Sequence, residues 1–200
     1  MSDKSANAVI KVTNRLQRLQ YLRRHPLIHP QSYFAVGDQA VRDCGAAGSR
    51  VRPLGPQALP VEYATLAYCL LGADVRIRLT VDELRAAFEW MPDRLVGQPH
   101  CCIENEGQKT LESVRIDLGG ASDHIARKCD ADLQLRIPHK SFFQLVSERR
   151  FRAVILTGTT DKAASIQRAL GHHLWPEGYG FHLAVIPELL QLTPGGRHAG

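Results

Sequence analysis

Two short apolar runs near the C-terminal end, RAVILTG (152–158) and GFHLAVIP (180–187), bracket a segment, TTDKAASIQRALGHHL, that reads as a helix capped at Thr159 or Thr160. Parallel strands need a crossover of a dozen or more residues. Strand, helix, strand at this spacing therefore predicts a βαβ unit, with helices packed against a sheet. Upstream, HCCIEN (100–105) and TLESVRIDL (110–118) flank a polar EGQK turn and predict an antiparallel hairpin. Gly119 and Gly120 end its second strand. ASDHIARKCDADLQLRI follows as a helix with Ile125, Cys129 and Leu133 on one face. Antiparallel and parallel pairs side by side make a mixed sheet, so the predicted class is α/β (α+β).

Three segments precede the sheet. VEYATLAYCLLG (61–72) reads as an apolar helix that packs on the helices before it. VRIRL (75–79) is a short strand or a linker. TVDELRAAFEWM is a helix opened by a capping box of Thr80 and Glu83. A boundary between 73 and 74 gives two expected domains, 10–73 and 74–193.

The first domain is set apart by charge. Residues 1–60 carry nine basic and three acidic side chains, whereas the other 140 carry 16 basic and 17 acidic. The whole chain's net charge of +5 therefore sits in its first third. A helix is expected from about Asn14 to His25, stopped by Pro26, and a second short one from Pro30 to Ala35. Gly37 turns the chain, and Asp38 caps a third helix, DQAVRDCGAA. Helix, glycine turn and helix make a helix-turn-helix unit. The next segment, GSRVRPLG, alternates Arg50 and Arg52 around Val51 as a wing would. The reading is a winged-helix-like helical domain whose partner is double-stranded DNA, because a localised positive field suits a polyanion. The candidate contacts are Arg15, Arg18, Arg23, Arg24, Arg42, Arg50 and Arg52, with Gln39 as the best base reader. An ordinary helical subdomain with a solvated basic face is the competing reading.

Other classes leave little trace. No apolar run approaches the roughly 20 residues that cross a bilayer, and MSDKSANAVIKV lacks a signal-peptide core. The five cysteines follow no disulfide framework and include no CxxC, so reduced thiols in a cytoplasmic protein are expected. No GxSxG, HExxH, Walker or kinase signature is present.

RLTVDELRAAF (78–88), Pro99-His100, Arg115-Ile116-Asp117-Leu118-Gly119, HIARK (124–128) and VILTGTTDKAASIQRAL occur in an order that resembles the replication-relaxation family of plasmid and integrative-element proteins. That resemblance implies a winged helix joined to a restriction-endonuclease-like domain. Nucleases of that fold hold Mg²⁺ with an Asp and an acidic residue of the next strand, assisted by a Lys. At the corresponding positions this chain has His100 and Arg115, with Asp117 and Lys128 remaining, so the nuclease site is expected to be degenerate and no cofactor is expected. The function expected is that of a non-catalytic DNA-binding protein of a mobile genetic element, a transcriptional regulator or a replication or transfer accessory factor. Its second domain would serve as scaffold, homodimer surface or further DNA contact. A Mg²⁺-dependent nuclease and a protein-binding adaptor are the alternatives.

Overall fold

The structure, a computed structural model, describes residues 3–27, 31–44, 54–71, 74–105 and 107–193. The chain divides into two units, Met1–Pro56 and Gln57–Gly200.

The first unit opens with α1 (Asp3–Arg18), followed by an antiparallel hairpin of β1 (Leu22–Pro26) and β2 (Ser32–Val36), and then α2 (Asp38–Asp43). Two expected helices are thereby corrected. The first stops at Arg18, well before Pro26, because Gln20 adopts a left-handed conformation at φ 60°. The Tyr21 N–H donates to the Leu16 carbonyl at 2.9 Å and the Gln20 N–H to that of Gln17 at 3.0 Å, a Schellman stop built without glycine. Within the helix expected over 30–35, Ser32–Val36 form a strand instead, since Tyr33, Phe34 and Val36 favour a pleated surface and lie opposite His25, Arg24 and Leu22 in the register of the hairpin. Gly37 is where β2 crosses the α1–β1 turn. A β-carbon there would lie 2.1 Å from the Gln20 carbonyl oxygen, so only glycine fits.

The second unit contains α3 (Ala58–Leu70), β3 (Arg76–Leu79), α4 (Val81–Ala87), α5 (Asp93–Val96), β4 (His100–Asn105), β5 (Gln108–Ile116), α6 (Ser122–Arg136), α7 (Lys140–Ser147), β6 (Phe151–Thr157), α8 (Thr160–Leu170), β7 (Gly180–Val185) and α9 (Leu189–Leu192). Its sheet runs β3-β4-β5-β6-β7, antiparallel through β5 and parallel from β5 to β7. The mixed sheet, the hairpin and the βαβ unit are as the sequence predicts. So are the caps: the Thr80 and Glu83 capping box forms, and Thr159 Oγ1 accepts from the Lys162 N–H at 3.1 Å. Helix α3, grouped above with the N-terminal part, belongs to this unit. Its Ala64 and Tyr68 pack with Cys101, Val114, Val154 and Leu189. On the other sheet face, Ile125, Ala126 and Cys129 of α6 pack with Ile155 and with Ile166 of α8. A third cluster gathers Leu84, Leu95, Leu111, Leu133, Phe142 and Phe151. Among the described residues no helix is long and apolar enough to cross a membrane.

Candidate functional site

α1 places Lys11, Arg15 and Arg18 at i, i+4 and i+7, which is one helical face, and all three are exposed. Val12, Leu16 and Leu19 keep the same spacing one step round; Leu16 is half-buried while Val12 is 57% exposed. The Schellman stop then turns the chain straight into β1, where Arg23 and Arg24 are exposed. Residues 7–27 thus carry five basic side chains and no acidic one. Arg23 pairs with Asp38 at 2.6 Å, both about half exposed, and the Arg24 Nε donates to the Ser32 hydroxyl at 2.6 Å. Exposed pairs of this kind contribute only about 0–1 kcal/mol, so either guanidinium can exchange its partner for a phosphate. A groove of about 300 Å³ between the end of α1 and β1 is lined by Gln17, Gln20, Arg23 and Arg24 among others.

The residues expected on a recognition helix stand differently. α2 is six residues long, about 9 Å at 1.5 Å per residue. Gln39 is engaged at both ends inside it: its amide donates to Asp43 Oδ1 at 2.8 Å and its Oε1 accepts from Arg42 at 2.6 Å. Asp43 also accepts from the Tyr21 hydroxyl, and that hydrogen bond raises the Tyr21 phenol above its ordinary range. α2 is therefore tied down onto the hairpin. Arg50 and Arg52, the expected wing, lie outside the described residues.

In the second unit, the face of β5 that meets α6 presents Ser113 and Arg115, next to His100 of β4, which is the register partner of Ser113. Sequence reasoning named His100 and Arg115 but missed what joins them. Arg136 of α6, 1% exposed, donates from Nη2 to the Ser113 hydroxyl at 2.9 Å, and the same nitrogen lies 3.4 Å from His100 Nε2. Its Nη1 donates to the Asp132 carbonyl at 3.3 Å. The Asp132 carboxylate accepts from Arg115 Nε at 2.9 Å and from the Gln98 amide at 3.3 Å. His100 Nδ1 lies 2.9 Å from the Gln98 carbonyl oxygen, so the neutral tautomer donates there and leaves Nε2 as acceptor for Arg136. Burial, then the Arg136 guanidinium, lowers His100 to about 4. The signal was legible: Asp132 and Arg136 fall in phase with Ile125, Cys129 and Leu133, which puts two charges on the buried face of α6.

This cluster does not fit Mg²⁺. A hard cation needs several oxygen ligands, and beside the one carboxylate of Asp132, which is taken up by Arg115, the cluster holds an imidazole, a hydroxyl and two guanidiniums, with Arg136 inserted between His100 and Ser113. The two remaining nuclease-like residues are not brought together. Asp117 is buried at the end of β5, where it accepts from the Thr157 hydroxyl at 3.2 Å and the Gly119 N–H at 3.1 Å, with Lys162 Nζ 4.0 Å away. Lys128 is exposed on α6 and makes no ion pair with Asp117 among the described residues.

The tryptophans of the second unit pack internally. Trp90 lies against Phe88, His139 and Phe142, and Trp175 stacks on Tyr179 with ring centroids 5.6 Å apart.

No protein-family model, curated protein or solved structure matches this chain, so the geometry itself carries any functional reading.

Proposed function

We propose that the chain is a non-catalytic protein that binds double-stranded DNA through its first unit, with α1 as the reading helix and the β1–β2 hairpin as the wing. The observation that carries this is the row Lys11, Arg15 and Arg18 on a helix of 16 residues that leads directly into a strand bearing Arg23 and Arg24. Sixteen residues span about 24 Å, and a major groove about 12 Å wide admits one helix. Arg15 and Arg18 would face the base edges and Lys11 the phosphates. Arg23 and Arg24 would take the backbone beside the groove. Relative to the expectation from sequence, the proposal moves recognition from α2 to α1 and the wing from GSRVRPLG (48–55) to the β1–β2 hairpin.

The biological setting rests on the likeness of the motifs to the replication-relaxation family: a mobile genetic element, with a role in transcriptional control or as an accessory factor in replication or transfer. The second unit then acts as scaffold, since the positions that would hold a catalytic cation are filled by an internal ion network.

The test is retention of a duplex DNA library in a gel or filter assay across salt concentrations. Each neutralised phosphate contributes about −0.9 to the slope of log K against log salt. Three phosphate-facing cations, Lys11, Arg23 and Arg24, give a slope near −2.7, and the double variant Arg23→Ala/Arg24→Ala flattens it by about 1.8. Retention that is insensitive to salt, or unchanged in the double variant, overturns the proposal. Plasmid cleavage in Mg²⁺ that is lost in Asp117→Ala would overturn the non-catalytic reading.

A further inference from the structure

Cys69 on the last turn of α3 and Cys101 of β4 place their sulfurs 3.7 Å apart. Cys101 is fully buried and Cys69 is half-buried, so one of the two thiols can be reached from solvent. The elements that carry them are clamped together around the pair. Tyr68, next to Cys69, donates to Glu112 Oε1 at 2.8 Å, and Glu112 is the register partner of Cys101. Arg78, the partner of Cys101 on its other side, pairs with Glu62 of α3. The Arg76 guanidinium sits 4.5 Å from the Tyr68 ring centroid. The sulfurs are therefore held in opposition.

With Cys101 as the donor, the contact between the sulfurs lowers the Cys69 thiol, with help from Arg76, while the same contact and burial raise Cys101. A reachable thiol with thiolate character beside a second, protonated one is the arrangement of an attacking and a resolving cysteine. The other cysteines lack it: Cys44 is exposed, Cys102 lies on the opposite side of β4, and burial holds Cys129 up at about 11.

We infer that Cys69 and Cys101 are a peroxide-oxidisable pair that closes to an intramolecular disulfide pinning α3 to β4. The Cys69 thiolate attacks one peroxide oxygen. An S–O bond forms, the O–O bond breaks and hydroxide leaves, which oxidises the sulfur by two electrons. The Cys101 sulfur then attacks the sulfenic sulfur: the S–S bond forms, the S–O bond breaks, and water departs with the Cys101 proton. Two thiols and one hydrogen peroxide give one disulfide and two waters. The sulfurs must approach by roughly 1.7 Å to reach bonding distance, a rotation that the half-exposed Cys69 side chain can make.

The test uses the full chain as Cys44→Ser, to prevent links between molecules. After hydrogen peroxide, the intact mass falls by about 2 Da. A non-reducing tryptic map then joins the peptide that holds Cys69 to the one that holds Cys101 and Cys102. The link persists in Cys102→Ser and disappears in Cys69→Ser and in Cys101→Ser. The oxidised protein melts several degrees higher, and a reductant reverses the shift. Circular dichroism checks that each variant is folded. The inference is overturned if a folded protein keeps both thiols after peroxide treatment. It is equally overturned if Cys69 gains about 32 Da as a sulfinic acid without a link, or if the link survives Cys101→Ser and vanishes in Cys102→Ser.

Discussion

In the second unit Leu111, Phe142, Val154 and Leu156 are completely sealed from solvent, whereas in the first unit Gly37 alone is buried among the described residues and Val9, Ile10 and Val12 are each more than half exposed. One unit is held by three apolar clusters on and around its sheet. The other is held by backbone hydrogen bonds, a Schellman stop and exposed polar pairs. Burial of apolar surface contributes about 25 cal/mol per Å², so nearly all of the chain's hydrophobic stabilisation lies in the second unit. Lys11, Arg15 and Arg18 of the first unit are exposed and make no ion pair among the described residues, and the pairs of Arg23 and Arg24 are weak surface ones. Substitutions should accordingly sort into two kinds, those that unfold and those that weaken binding.

The largest expected effect is Phe142→Ala. Phe142 touches Trp90, Phe151 and Tyr179 with ring centroids 5.0–6.4 Å away. Removing its ring should cost about 3–5 kcal/mol, read as a lower urea midpoint. Arg15→Ala should change stability by less than about 0.5 kcal/mol while weakening retention of DNA. Equal stability losses from the two variants would abolish the distinction between the units.

Next comes Asp132→Ala, which takes away the carboxylate that pairs with Arg115 and accepts from Gln98, while Arg136 keeps the backbone carbonyl at 132. Unpairing a buried charge costs about 3 kcal/mol or more. Arg136→Met, which removes the buried charge and keeps an apolar filler against Phe151, should cost clearly less. Were Arg136 part of a working site and not of a structural network, the order of these two would not matter to folding, and chemical denaturation of both variants decides it.

Most of the second unit was legible in the sequence because each signal there is local and agrees with the tertiary fold. Two extended runs around the polar EGQK turn marked β4 and β5, a capping box opened α4, and a threonine cap opened α8. The first unit was misread for equally local reasons. A Schellman stop normally advertises itself by glycine, and Gln20 takes the left-handed conformation in its place. The β1–β2 connection has no Asn-Gly or Asp-Gly, so Pro30 suggested a helix start shortly before the sequence of β2. Arg15, Arg18 and Arg42 lie on helices as expected, whereas Arg23 and Arg24, expected on the first helix, lie on β1. For the ion network, His100 and Arg115 were visible as departures from a motif. Asp132 and Arg136 left one signal, their helical phase with Ile125, Cys129 and Leu133, and what they pair with is set by the sheet that α6 covers.

His100 gives the second unit a pH signature that the first should lack. Burial lowers it to about 4 against 6.5 in the unfolded chain. As pH falls below 6.5 the unfolded chain takes up a proton that the folded one refuses until about 4. Stability therefore declines across that window and levels off beneath it, by about 3 kcal/mol in all. His182, lowered by burial and then by Arg152, acts in the same direction. His100→Gln keeps an acceptor for Arg136 and should flatten most of the slope in urea titrations between pH 4 and 7. A slope unchanged in that variant would mean that some other group carries it.

The smallest expected effect probes the first unit from inside. Leu16 is half-buried on the apolar side of α1, beside the exposed Val12 and Leu19. With so little area removed from water, Leu16→Ala should cost less than about 1 kcal/mol, read as slightly faster hydrogen exchange along α1. The same substitution discriminates between two accounts of that apolar side. If α1 stands alone in solution, the cost is small at every protein concentration. If a second copy covers Val12, Leu16 and Leu19, the cost grows as the protein is concentrated, because association stabilises by mass action. A concentration-dependent loss would show that the first unit completes its core only between chains, and the contrast with the second unit would then be one of where the core is found and not of whether it exists.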